Sequence, residues 1–251
     1  MTEREGTPMS LGEKGPSVLV IQHVDAETTG VIGEILGEEG ARVTTVRVFS
    51  GDPVPAGIAP HDALVVMGGP MGVYEADRHP HLAQEVALIR RAVGENVPVL
   101  GVCLGSQLLA TALGSAVHPA RKELGWFPVT LTPEGIADPL FDGVPGGFTA
   151  FHWHGDAFDP PPGSVSLASS ELTSCQAFRH GAHVGLLFHM EMGEAMVRAL
   201  VEQDLASGYA DDATAGRALD EMPRHLPSMR SIARKVFGRV SDAIAGRPLR
   251  A

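Results

Sequence analysis

The sequence predicts a single α/β domain: a mostly parallel central sheet with helices on both faces, plus short antiparallel strands. Three observations carry that prediction. Ser17-Val-Leu-Val-Ile21, Ala63-Leu-Val-Val-Met67 and Pro98-Val-Leu-Gly-Val102 are short apolar runs, the pattern of strands buried on both faces. Stretches of helical periodicity alternate with them, as strand–helix–strand units require. The chain has 251 residues, 44% hydrophobic and 20% charged, enough for one large core and unlike a disordered composition.

The elements follow in order. Residues 1–16 are polar and read as a flexible tail. The first strand starts at Ser17, and a helix over about Thr29 to Glu39 ends at Gly40, a suitable C-cap. Val43 to Phe49 is a second strand. The third, at Ala63, stops at Gly68-Gly69-Pro70. Leu82 to Gly94 is helical, and the strand from Pro98 runs straight into Cys103. Shorter, antiparallel strands are expected near Val129 to Thr132, Val165 to Ala168, Cys175 to Arg179 and Val184 to Phe188. Glu194 to Ser207 and about Ala213 to Ala245 are helical, the second interrupted by Pro223 and Pro227. Without a linker or repeat, residues 17–207 form one domain, and 208–251 a helical C-terminal extension packed on it.

A net charge of −11 argues against a nucleic-acid-coating surface and for small-molecule chemistry. No apolar run reaches the roughly 18 to 20 residues that span a bilayer, and residues 1–15 lack the apolar core of a signal peptide. A cytoplasmic location follows as the expectation. In a reducing cytosol Cys103 and Cys175 stand as separate thiols, and Cys175, without flanking glycines or a helix start, is a core residue.

Cys103 is the most informative position. An apolar strand ends there and a helix begins at about Leu104, with Gly101 and Gly105 on either side. A sharp strand-to-helix turn needs such glycines because side chains would collide with the neighbouring backbone. The helix N-terminus favours a thiolate. A cysteine nucleophile needs a base and a group that orients it. Eleven histidines are present, and context selects His189: an apolar strand ends in His189-Met-Glu191. On an extended strand residues i and i+2 share a side, so Glu191 reaches the imidazole. Attack on an amide carbonyl also needs two donors for the oxyanion. The Leu104 amide is one, and a glycine-rich strand end supplies the other.

Gly101-Val-Cys-Leu-Gly-Ser-Gln107 resembles the nucleophile elbow of class I glutamine amidotransferases, which release ammonia from glutamine through a γ-glutamyl thioester. The fold implied is flavodoxin-like, and Gln107 is placed in the glutamine pocket. The segment from Val184 to Glu191 is similar to the family's Gly-x-Gln-Phe-His-Pro-Glu signature, departing from it at Leu187 and Met190. By that resemblance Cys103, His189 and Glu191 are the catalytic triad. Val66-Met-Gly68-Gly69-Pro70 resembles the family's Gly-Gly-Pro loop, with Gly69 as second oxyanion donor and Gly68 beside it. Phe151-His-Trp-His154-Gly-Asp156-Ala-Phe158 looks like the Trp-His-x-Asp-x-Phe stretch of stand-alone members similar to the glutaminase half of GMP synthetase. Trp153, His154 and Asp156 then border the substrate's α-amino and α-carboxylate groups.

The histidines at 152, 154, 180, 183 and 189 match no helix-borne zinc pattern. Neither metal nor organic cofactor is expected. The chain carries no Gly-x-x-x-x-Gly-Lys phosphate loop and hence no evident synthetase, so the first expectation is a subunit that hands ammonia from glutamine to a separate synthetase. A free-standing γ-glutamyl hydrolase or peptidase is the second, and a catalytically silent binding subunit on this fold the third.

Overall fold

The computed structural model describes residues 15–247, so the predicted tail lies, up to residue 14, outside the described residues. The chain runs β1 (Ser17–Gln22), α1 (Gly30–Glu38), β2 (Arg42–Arg47), β3 (Ala63–Val66), α2 (His81–Gly94), β4 (Val99–Val102) and α3 (Leu104–Ala112). It continues with β5 (Val117–Leu131), α4 (Pro133–Ala137), β6 (Gly147–Phe158), β7 (Val165–Ser169), β8 (Ala177–His180), β9 (His183–Leu186), α5 (Glu194–Ser207) and α6 (Asp212–Ile244).

One nine-stranded sheet carries all strands in the order β2-β1-β3-β4-β9-β8-β7-β5-β6. The β2-β1-β3-β4-β9 half is parallel, the order of flavodoxin-like sheets. The remaining pairs are antiparallel. β1, β3 and β4 are buried at every residue, as their unbroken apolar runs require. α2 and α3 cover one face of the sheet, and α1, α5 and α6 pack into the core on the other. Leu104, Leu108 and Leu109 of α3 are each at most 1% exposed, and burying such a side chain stabilises by about 1.5–3 kcal/mol.

α1 ends as the sequence implies. Gly40 takes φ +69°, its N–H donates to the Gly37 carbonyl at 3.1 Å, and Ala41 N–H donates to Leu36 at 2.9 Å, the double closure of a left-handed cap.

The chain after α3 differs from expectation in three ways. β5 and β6 form a hairpin of 15 and 12 residues, where only the end of β5 was expected as strand. Pro119 and Pro128, with the charged run Arg121-Lys122-Glu123, hide β5 behind residues that argue against a strand. β9 pairs in parallel with β4 as well as antiparallel with β8, so it joins the two halves. Third, α6 passes through Pro223 and Pro227 without a break. Each proline removes one i→i−4 bond, but packing holds the helix. Met222, Met229, Ala233, Val236 and Phe237 are buried, and Arg230 and Arg234 reach Glu34 and Glu38 on α1 at 3.1 and 2.6 Å. No helix among the described residues is long and apolar enough to cross a membrane.

Gly105 shows how tightly α3 sits on the sheet: a Cβ there would overlap the Val66 carbonyl. Gly105→Ala is expected to lower stability by on the order of 3 kcal/mol, read as a lower urea midpoint at unchanged slope.

Candidate active site

The C-terminal ends of β3, β4 and β9 converge on Cys103. Its backbone takes φ +50° and ψ −112°, a region that costs a side-chain-bearing residue about 1–3 kcal/mol. Four backbone hydrogen bonds hold the turn. Cys103 N–H donates to the Leu186 carbonyl at 2.8 Å, and Gly105 N–H donates to Met67 at 3.1 Å. The Cys103 carbonyl accepts from Ser106 and Gln107 N–H at 2.9 and 3.1 Å. The amides of 105, 106 and 107 are thereby satisfied. Leu104 N–H, at the positive end of α3, has no acceptor among the described residues, and neither has Gly69 N–H in the loop after β3.

His189 is 1% exposed. Its Nδ1 donates to Glu191 Oε1 at 2.7 Å, and the Cys103 side chain is near enough to act on the charge of the ring, although the Cys103 thiol itself donates to the Trp153 carbonyl at 3.9 Å. Burial opposes a charge on this ring. Glu191 first, and Cys103 after it, outweigh it and hold the imidazole pKa well above 6.5. The His189–Glu191 contact was expected from the strand's alternation, but β9 ends at Leu186. Anchors from elsewhere make it instead. His189 N–H donates to Phe151 on β6 at 2.8 Å, and the Glu191 carbonyl accepts Val31 N–H from α1 at 2.9 Å. Glu191 Oε2 also accepts Met190 N–H at 3.0 Å.

Cys103 and His189 open into a cavity of about 780 Å³, also lined by Gly69, Gln107, Trp153, His154 and Asp156. Gly68 and Leu104 stand behind the wall. Gly68 packs on Glu27 and the His189 ring, and the Leu104 side chain lies against Gly69. Trp153 Nε1–H donates to Asp204 at 2.7 Å. His152 and His154 face Glu123, yet the Gln176 amide nitrogen stands among them, 2.8 Å from Glu123 and 3.3 Å from each ring. Within this cluster Glu123 Oε1, His152 Nε2 and Gln176 Oε1 are buried without a hydrogen-bond partner among the described residues. Burial lowers the His154 pKa to about 4, with His189 adding repulsion, so this ring is neutral. Burial raises Cys175 to about 11, in keeping with a core thiol.

Sequence reasoning missed Glu27, Tyr74, Lys122, Asp204 and Tyr209, all on the cavity wall. Tyr74 donates to Asp156 at 3.3 Å, and the Lys122 ammonium sits 3.6 Å from the centre of the Tyr209 ring, a cation–π contact. The chain has only two tyrosines, and both stand here, the one available signal. Glu27 is 3% exposed. Burial, with Glu191 and Asp204 adding repulsion against the pull of His189 and His23, raises its pKa to about 7.

Comparison with known proteins identifies the family. The model of glutamine amidotransferase class-I matches residues 22–197. The chain is 34% identical over 194 residues to the glutamine amidotransferase-like protein YfeJ of Salmonella typhimurium, covering 74% of this chain and 81% of that one. It is 38% identical over 141 residues to a GMP synthase [glutamine-hydrolyzing] of Thermomicrobium roseum, 55% of this chain but 25% of that one. A γ-glutamyl-L-1-hydroxyisopropylamide hydrolase of Pseudomonas sp. is 27% identical over 171 residues, 63% of this chain and 57% of that one. The solved glutamine amidotransferase of Methylobacillus flagellatus superposes with TM-score 0.82 at 31% identity, covering 91% of this chain and 95% of that one. The chain belongs to the class I glutamine amidotransferases, related to GMP synthases and to a γ-glutamyl hydrolase, as its motifs imply.

Glu27 generates a prediction. Its folded pKa lies above the ordinary 4.5, so the folded state holds the proton more tightly than the unfolded chain. Stability therefore falls as pH rises from about 4.5 to about 7. Glu27→Gln is expected to match the parent at pH 4 and to be more stable by on the order of 2–3 kcal/mol at pH 8. Urea unfolding at the two pH values measures it.

Proposed function

We propose that the chain hydrolyses the side-chain amide of glutamine, or the amide of a related γ-glutamyl compound, with Cys103 as nucleophile. The observation that carries this reading is the strained Cys103 beside a buried His189 that is paired with Glu191, at the floor of an open cavity. The Cys103 sulfur attacks the γ-carbonyl, and the negative charge passes to its oxygen. The N–H groups of Leu104 and Gly69, both without an acceptor among the described residues, receive that oxyanion. His189 protonates the departing nitrogen, the C–N bond breaks and a γ-glutamyl thioester forms. His189 then takes a proton from water, whose oxygen displaces the sulfur to give glutamate.

Around the substrate's amino-acid end, Asp156 accepts from the ammonium and Gln107 donates to the carboxylate, while Trp153 and His154 shape the wall. Gly68 supports Gly69 from behind. In this reading ammonia passes to a separate synthetase, as the GMP synthase relatives suggest by name. One observation favours a second reading, a free-standing γ-glutamyl hydrolase. The cavity, about 780 Å³, falls within the range of drug-sized ligand sites and leaves room for an amine larger than ammonia.

Release of glutamate from glutamine and from a panel of γ-glutamyl amides and peptides separates the readings. Turnover of glutamine that rises with an added synthetase supports the first; turnover of larger γ-glutamyl amides by the chain alone supports the second. Cys103→Ala is expected to lower turnover at least about 10⁴-fold while its urea midpoint stays within the range of the parent. Retained hydrolysis in that variant would falsify the mechanism.

A further inference from the structure

A buried polar chain lies outside the groups used so far. His23, directly after β1 and 2% exposed, places Nδ1 2.9 Å from the Gly68 carbonyl oxygen and Nε2 2.8 Å from Glu85 Oε2. The other Glu85 oxygen meets His81 Nδ1 at 2.9 Å. The Gly68 carbonyl can only accept, so Nδ1 carries a proton; with Glu85 as carboxylate Nε2 carries one too, and the ring is an imidazolium. Burial opposes that charge, and Glu85 above all, with the Gly68 carbonyl and Glu27, overcomes it.

The carbonyl of Gly68 and the N–H of Gly69 belong to one peptide unit. That unit is planar and trans, since the one cis bond among the described residues is Ala59-Pro60, and its C=O and N–H point in opposite directions. Holding the carbonyl therefore aims the N–H away from His23. Crowding explains why a hold is needed. A Cβ on Gly68 would overlap the Glu27 carboxylate, and one on Gly69 would come within 2.7 Å of His23 Cβ, so both positions must be glycine. A Gly-Gly peptide flips easily. Flipped, it would turn a carbonyl oxygen toward the place where the oxyanion forms.

We propose that His23, charged and braced by Glu85, is a positioning residue that clamps the Gly68–Gly69 peptide with its N–H turned toward Cys103, so the oxyanion site is formed before substrate arrives. This rests on the reading of Gly69 N–H as an oxyanion donor.

The test compares His23→Phe with His23→Asn, each combined with Glu85→Leu so that no buried carboxylate is left unpaired. The two double variants differ in one group: the asparagine amide restores an N–H near the place of Nδ1. Hydrolysis of glutamine and of γ-glutamyl-p-nitroanilide is followed beside the ¹⁵N–¹H resonance of Gly69, with thermal unfolding as a check on folding. The clamp predicts a kcat about 10²–10³-fold below the parent in the His23→Phe pair, KM within about threefold, and at least about tenfold recovery of kcat in the His23→Asn pair. The Gly69 amide should shift in the first pair and return toward the parent position in the second. Equal kcat in the two pairs, or a loss in KM alone, overturns the proposal. If the parent turns over neither probe, the hydrolase reading fails on its own, and the resonance judges the clamp: a Gly69 amide unmoved by His23→Phe overturns it.

Discussion

The left-handed turn at Cys103 is the constraint on which the rest depends. Such a conformation persists only where its surroundings over-determine it, and here three strand ends do so. Met67 beyond β3 and Leu186 at the end of β9 each spend a carbonyl on the turn, and β4 runs into it. α3 must come so close that a side chain at 101 or 105 would overlap backbone. The helix start is thus pinned against the sheet, and the amide of Leu104 is left over because every other early amide is used. The same contacts that stabilise the packing leave one donor free beside the sulfur.

Much of the parallel half was legible because its strands are buried on both faces and its glycines mark real steric limits. Ser17 to Ile21, Ala63 to Met67 and Pro98 to Val102 needed no context to be read. The β5–β6 hairpin was illegible because its buried face is partly polar: His152 and His154 are hidden by bonding with Glu123 and Gln176, and no alternation of apolar residues reports that. The helix through Pro223 and Pro227 was illegible for the opposite reason. Local chemistry argues against it, and packing on α1 and the core overrides local chemistry.

The candidate site divides along the same line. Cys103, Gly69 and Gln107 lie in motifs whose geometry is local, so their neighbours in sequence announce them. His189 and Glu191 were found by their spacing, but their contact is set by Phe151 and Val31, far away in the chain. Glu27 had no local mark at all. It matters because it adds a second buried carboxylate to Glu191 beside the His189 imidazole, an environment that only the folded chain assembles.

Tyr209 lies past residue 197, where the family match ends, and its backbone carbonyl and ring are both held by Lys122 from the hairpin. The cavity therefore has two parts of different construction. Its floor is bound to the sheet and tolerates almost no change in shape. Its rim is a clasp between two peripheral segments, free to take other residues without disturbing the turn beneath. On the proposed reading, the choice of amine belongs to the clasp and the breakage of the amide bond to the floor, two mechanically separate parts.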